Sequence, residues 1–148
     1  MPFEIDATNF AAAIDALIEA VDLATQRGVQ LGAALVEAEA KSSFGPAHAK
    51  GTAKASSQPQ SITGTLRRSI GVVDITSAGL GVWAARIAPT VIYGRRIELG
   101  FHGTDSLGRN YTNPGQPAYP FLKPGLDKAL GRLPDIFTSA WNVALGGV

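Results

Sequence analysis

At 148 residues the chain is the size of one ordinary domain, long enough to bury a core without a disulfide or structural metal. It has no cysteine, which excludes thiol nucleophiles and Cys-based zinc sites, and neither a basic leader ahead of an apolar run nor the roughly 20 apolar residues of a membrane span. Charged residues make up 17%, against about 25% in an average domain, and they are divided: residues 1–40 carry net −6 and the remainder +7, leaving +1 overall.

In chain order, the first predicted element is a long helix. Phe10, Ile14, Leu17, Val21, Ala24, Gly28, Leu31, Leu35 and Ala38 recur at alternating steps of four and three, the spacing of one apolar seam. Asp15, Glu19, Asp22 and Glu37 fall off that seam, as a wet face would. Thr8 or Asn9 suits the N-cap. Gly28 and Gly32 weaken the middle, so they mark either a bend or a close approach of another backbone.

Residues 41–61, rich in Ser, Ala, Lys, Gly and Pro, read as a mobile loop, because they offer too little apolar area to offset the cost of ordering. Ile70–Ile75 and Gly79–Ile87 then read as two strands of an antiparallel hairpin, with turn residues between Asp74 and Gly81. Val91–Leu99 is a short helix or a strand. Residues 100–118, rich in Gly, Asn and Pro, read as a second long flexible loop. Leu126, Leu130, Leu133, Phe137, Trp141 and Leu145 restore the helical period, and Pro134 predicts a kink or two helices near Leu133. The sum is one α+β domain over residues 1–148, with long N-terminal and C-terminal helices packed on a small antiparallel sheet.

Catalytic patterns are missing from the sequence. His48 and His102 fall in predicted loops with no partner at metal-type spacing, although His102 with Asp105 is a candidate pair for a small hydrolase. There is no GxSxG elbow or HExxH helix, and Gly79-Leu80-Gly81 lacks the third glycine of a dinucleotide site. The expectation is a protein that is not an enzyme, with no cofactor or metal. Arg67-Arg68 and Arg95-Arg96 pose a different question. Paired arginines bind phosphates, and Tyr93 near the second pair could stack a base, so a nucleic-acid-binding module is one use. Bidentate contacts to carboxylates across a subunit interface are the other. The acidic first segment and basic remainder favour that second use, since complementary fields steer copies together head to tail.

Three motifs occur in order: Thr63-Gly64-Thr65-Leu66-Arg67-Arg68-Ser69-Ile70, then Tyr93-Gly94-Arg95-Arg96-Ile97-Glu98-Leu99-Gly100, then Pro120-Phe121-Leu122-Lys123-Pro124-Gly125-Leu126. Together they resemble the neck, or tail-completion, proteins of long-tailed phages, including the minor tail protein Z type of lambda-like phages. Gly94 and Gly125 depart from that pattern, each standing where it has alanine. The resemblance implies a structural virion protein, assembled in the host cytoplasm as a homo-oligomeric ring of six copies at the head–tail junction. Its neighbours would be a head connector or stopper and a tail terminator, with DNA passing through the lumen without specific binding. It further implies that Leu66, Arg67, Arg68, Tyr93, Arg95, Arg96, Glu98, Pro120, Phe121 and Pro124 serve assembly or the core. Leu66 and Ile70 would anchor their segment, while Tyr93, Ile97 and Leu99 would pack. Glu98 would be a salt-bridge partner beside Arg95 and Arg96, within the subunit or across it. Pro120 and Pro124 would fix the entry to the last helix, with Phe121 and Leu122 as plugs.

Overall fold

The computed structural model describes residues 7–46, 59–60 and 63–146. Its elements run α1 (Ala7–Ser42), α2 (Thr65–Ser69), β1 (Ile70–Gly79), β2 (Val82–Pro89), α3 (Gly94–Leu99), β3 (Phe101–Thr104), β4 (Asn110–Gln116), α4 (Leu122–Leu130) and α5 (Leu133–Leu145). The architecture is α+β, helices packed on small antiparallel strand pairs.

The 36 residues of α1 make a rod about 54 Å long. Small residues at steps of four, Ala24, Gly28, Gly32, with Val36 and Ala40 beyond, form its buried line. Against that line α4 and α5 run antiparallel, end to end. A Cβ at Gly125 would lie 2.5 Å from the Ala40 nitrogen, one at Gly32 would lie 3.1 Å from Leu133, and one at Gly28 would lie 2.5 Å from the Phe137 ring. The glycines therefore serve close approach and do not bend the helix. The partner follows the i, i+4 ridge, which slants across the helix axis. This shifts the seam away from the strict four-and-three alternation: Ala24 and Gly28 point inward as expected, whereas Leu31 and Ala38 are exposed. Pro134 stands in the first turn of α5, where its missing N–H costs nothing, and Gly131-Arg132 separates the two helices as the proline predicted.

The β1–β2 hairpin pairs from Ile70↔Pro89 to Gly79↔Val82, with irregularities between Val72 and Asp74 and between Ser77 and Gly79. β1 runs four residues past Ile75 before turning at Leu80-Gly81, so the connection is tighter than the composition of residues 74–81 suggested. Gly79 and Gly81 both have positive φ there. The hairpin lies along α1 and is pinned at both ends by acids of that helix. Asp22 Oδ1 accepts the Gly81 N–H at 2.7 Å and the Trp83 indole N–H at 3.0 Å. Glu37 Oε2 accepts the Val72 N–H at 3.3 Å, where the strand irregularity frees it. Two residues assigned to a wet face are thus anchors.

Residues 100–118 are not a flexible loop but hold the β3–β4 hairpin, paired at Phe101↔Gln116, Gly103↔Tyr111 and Thr104↔Asn110. The 41–61 loop also begins later than its composition implied. Lys41 and Ser42 belong to α1, Ser43 and Pro59 are buried, and the Gly45 N–H donates to the Pro59 carbonyl at 3.1 Å. The rest of that segment, residues 47–58 and 61, and His48 with it, lie outside the described residues. Val91–Leu99 resolves as a turn leading into a short helix, α3.

The core sits where the C-terminal end of α1 meets the start of β1 and the start of α4. Ala40, Ile70 and Phe121 are its buried centre, surrounded by Phe44, Leu66, Ile87, Ile97 and Leu122. Phe44 and Phe121 stack obliquely with ring centres 5.1 Å apart.

Candidate functional site

All three sequence motifs converge on this core. Leu66 of the first, Ile97 of the second and Phe121 of the third touch one cluster, and Phe121 is completely enclosed. Pro120 and Pro124 flank it half-buried, Pro124 standing in the first turn of α4.

Glu98 performs a different task from the one expected. The first turn of α4 leaves backbone N–H groups without helical acceptors. The Glu98 carboxylate takes three of them: Oε2 accepts from Phe121 at 2.7 Å and Leu122 at 2.9 Å, and Oε1 accepts from Lys123 at 3.1 Å. A negative group at this pole is also favoured by the helix dipole. Within the subunit Glu98 makes no salt bridge to Arg95 or Arg96, and both its carboxylate oxygens are engaged by α4. The Tyr119 N–H, just ahead of the third motif, donates to the Ile97 carbonyl of the second at 2.7 Å.

Arg96 is turned inward. Its guanidinium carbon lies 4.1 Å from the centre of the Phe101 ring and 4.8 Å from that of Tyr111. Nη2 donates to Gln116 Oε1 at 3.3 Å, and Nη1 lies 3.6 Å from Asp105 Oδ2. One arginine thereby fastens α3 to both strands of the β3–β4 hairpin, which explains why a segment so rich in turn residues is ordered. Its buried Nε has no partner.

Asp105 and His102 do not form a reactive pair. Asp105 closes the β3–β4 turn: Oδ1 accepts the N–H groups of Leu107 and Arg109, each at 2.9 Å, and Oδ2 accepts Arg109 Nε at 2.6 Å. Partial burial pushes its pKa up, but the N–H donors of Arg109 and Leu107 and the Arg109 charge outweigh that and hold it below the ordinary 3.8. Arg109 is raised in turn, chiefly by its hydrogen bond to Asp105. His102 Nε2 is bonded across the hairpin to the Thr112 carbonyl at 2.8 Å. Among the described residues no cluster of three His, Cys, Asp or Glu side chains is placed to hold a metal.

The remaining motif residues face outward. Arg67 and Arg68 lie exposed on α2, Arg95 on α3, and Tyr93 at its N-cap. Arg95 borders a groove of about 460 Å³ between the end of β2 and α3, walled mainly by Pro89, Val91, Ile92, Leu99 and Leu122. Ile92 is 97% and Leu99 65% exposed, so Leu99 does not pack inward as expected. Gly94 and Gly125 stand where a side chain has no room. A Cβ at Gly94 would meet Pro89 at 2.3 Å, and one at Gly125 would meet the Ala40 backbone.

The first three turns of α1 extend past the C-terminal end of α5, and there Phe10 is 65% and Ile14 39% exposed, with Ile18 beside them. Their four-residue spacing was visible in the sequence, but nothing local told that α5 stops short of them.

The fold is that of a small α+β domain in which residues of all three motifs meet at one core. In comparisons with known proteins, no family model, no curated protein and no solved structure matches the chain.

Proposed function

We propose that the chain is a structural subunit of a tailed-phage neck, one of six copies in a ring that joins head to tail around the DNA passage. The reading rests on the ordered motif trio. The observation that carries it furthest is the imbalance of the hydrophobic residues. The largest fully buried side chains are Phe121 and Ile70, while Phe10, Ile14, Leu31, Ile92, Leu99, Leu107 and Val143 stand exposed. Apolar residues scattered singly over a surface are ordinary, but Phe10, Ile14 and Ile18 share one stripe of α1 and Ile92 and Leu99 line one groove, and grouped apolar surface of this kind suits a subunit covered by neighbours. The head connector or stopper on one side and the tail terminator on the other are the further neighbours of this reading.

A nucleic-acid module built on Arg67, Arg68, Arg95 and Arg96 is weakened by Arg96, whose guanidinium is taken up by Asp105, Gln116, Phe101 and Tyr111. Three phosphate contacts from the others would give a salt slope no steeper than about −3 on duplex DNA.

The test is the mass of the purified full chain in solution, alone and with the adjoining connector or tail protein, followed by imaging of labelled copies in the particle. Six subunits at the head–tail junction are expected. A lone monomer in the mature particle, or turnover of a small molecule, ends the proposal.

A further inference from the structure

We infer that the exposed stripe Phe10, Ile14 and Ile18 in the N-terminal part of α1 docks in the groove beside α3 of a second copy, head to tail; this deepens the ring proposal and rests on it. Phe10 and Ala40 are thirty residues apart on one straight helix, or about 45 Å. The groove lies at the Ala40 end, since its wall residue Leu122 packs on the Ala40–Ile70–Phe121 cluster. No chain can therefore fill its own groove with its own N-terminal turns. The two surfaces sit at opposite poles of the molecule, and a contact between them is heterologous, the kind that closes into a ring or propagates as a filament.

The chemistry of the two surfaces matches. These turns present Phe10, Ile14 and Ile18 on one exposed stripe, the i, i+4 anchors of a helix that lies in an apolar groove. Their charges are Asp15 and Glu19, with no base before Arg27. The groove offers Pro89, Val91, Ile92 and Leu99, with Arg95 at its edge. Arg67 and Arg68 stand nearby on α2, whose Leu66 reaches to 3.4 Å of the position a Cβ on Gly94 would take. Glu98 also borders the groove, but its oxygens are turned to the α4 N–H groups, so the acid does not oppose an acidic helix.

The absence of native cysteine allows a direct test. Full-length Ile14→Cys and Ile92→Cys chains are mixed and oxidised with oxidised glutathione, so that a disulfide between positions 14 and 92 can form only between copies. The inference expects a cross-linked dimer from the mixture and none from either variant alone. It also expects Ile14→Asp, at an exposed site, to keep its helical circular dichroism yet weaken self-association at least tenfold. Glu19→Arg should weaken it too, and Arg95→Glu in the same chain should restore it. A ring of full mass that gives no 14–92 cross-link and is indifferent to Ile14→Asp overturns the inference and leaves the ring proposal standing. A chain that stays monomeric alone and with its neck neighbours overturns both.

Discussion

Glu98 and Phe121 are 23 residues apart in the chain, yet the Glu98 carboxylate accepts the Phe121 backbone N–H at 2.7 Å and so ties α3 to the start of α4. The bond sits at the rim of the core that Phe121 fills, where helix capping and side-chain burial reinforce each other. Losing the cap would free the first turn of α4 to fray and loosen the plug.

Glu98→Ala should therefore cost about 2 kcal/mol, the upper end for loss of a helix cap. Glu98→Gln should lose about half as much, because an amide oxygen still accepts N–H bonds but carries no charge for the helix pole. Urea midpoints at constant slope measure both. Equal losses for Gln and Ala would show that Glu98 acts as an ion-pair partner and not as a cap.

Much of the fold could be read from the chain because the signals are local. The helical period of α1, the β-branched run from Ile70 and the break at Pro134 each depend on neighbours within a few residues. What could not be read depends on distant partners. Asp22 and Glu37 looked like solvent-facing acids until β1 and β2 were laid along the same helix. Residues 100–118 looked like a loop because their own composition favours turns. The stabilising group, Arg96, comes from the preceding helix. Leu66, Ile70, Ile97, Phe121 and Leu122 of the motif trio lie in or around the core, whereas Tyr93 and Leu99 face out, and spacing alone placed Glu98 beside the arginines and could not reveal that α4 begins at its carboxylate.

The crossing of α1 and α4 gives a paired test. At Gly125 an added methyl would sit 2.5–2.9 Å from the backbone and side chain of Ala40, and backbone cannot swing aside as a flexible side chain can. Gly125→Ala should cost at least 1–3 kcal/mol, as overpacking does. Six residues on, Gly131 has helical φ and open space around its Cβ position. Gly131→Ala should stabilise by about 0.4–1 kcal/mol through the unfolded chain. Melting temperatures of the two variants should move in opposite directions.

The tip of the β1–β2 hairpin offers an optical readout. Trp83 donates its indole N–H to Asp22, the same oxygen that takes the Gly81 N–H. Asp22→Ala should release the tip, shift Trp83 emission to longer wavelength and cost about 1–2 kcal/mol. Trp141, which bonds Thr25 at 3.1 Å on the α5 side, would mask the signal, so the measurement is made in a Trp141→Phe background. Unchanged emission would mean that hairpin packing, and not the aspartate, holds the tip.

Acid should loosen the β3–β4 hairpin before the helices. Asp105 has its pKa held below the ordinary 3.8, the N–H donors and charge of Arg109 outweighing the opposing effect of burial. A carboxylate depressed in the folded state contributes stability that is present above its unfolded pKa and lost as pH falls through the folded one. The contribution is thus intact at neutral pH and disappears only below 3.8. Protonation would weaken the acceptor of the Leu107 and Arg109 N–H groups and remove the counter-charge of Arg96 and Arg109 together. Amide exchange should then show residues 101–116 losing protection ahead of α1, α4 and α5. Asp105→Asn should exchange faster in that hairpin already at pH 7 and respond far less to acid. An identical acid profile in Asp105→Asn would place the sensitive group elsewhere.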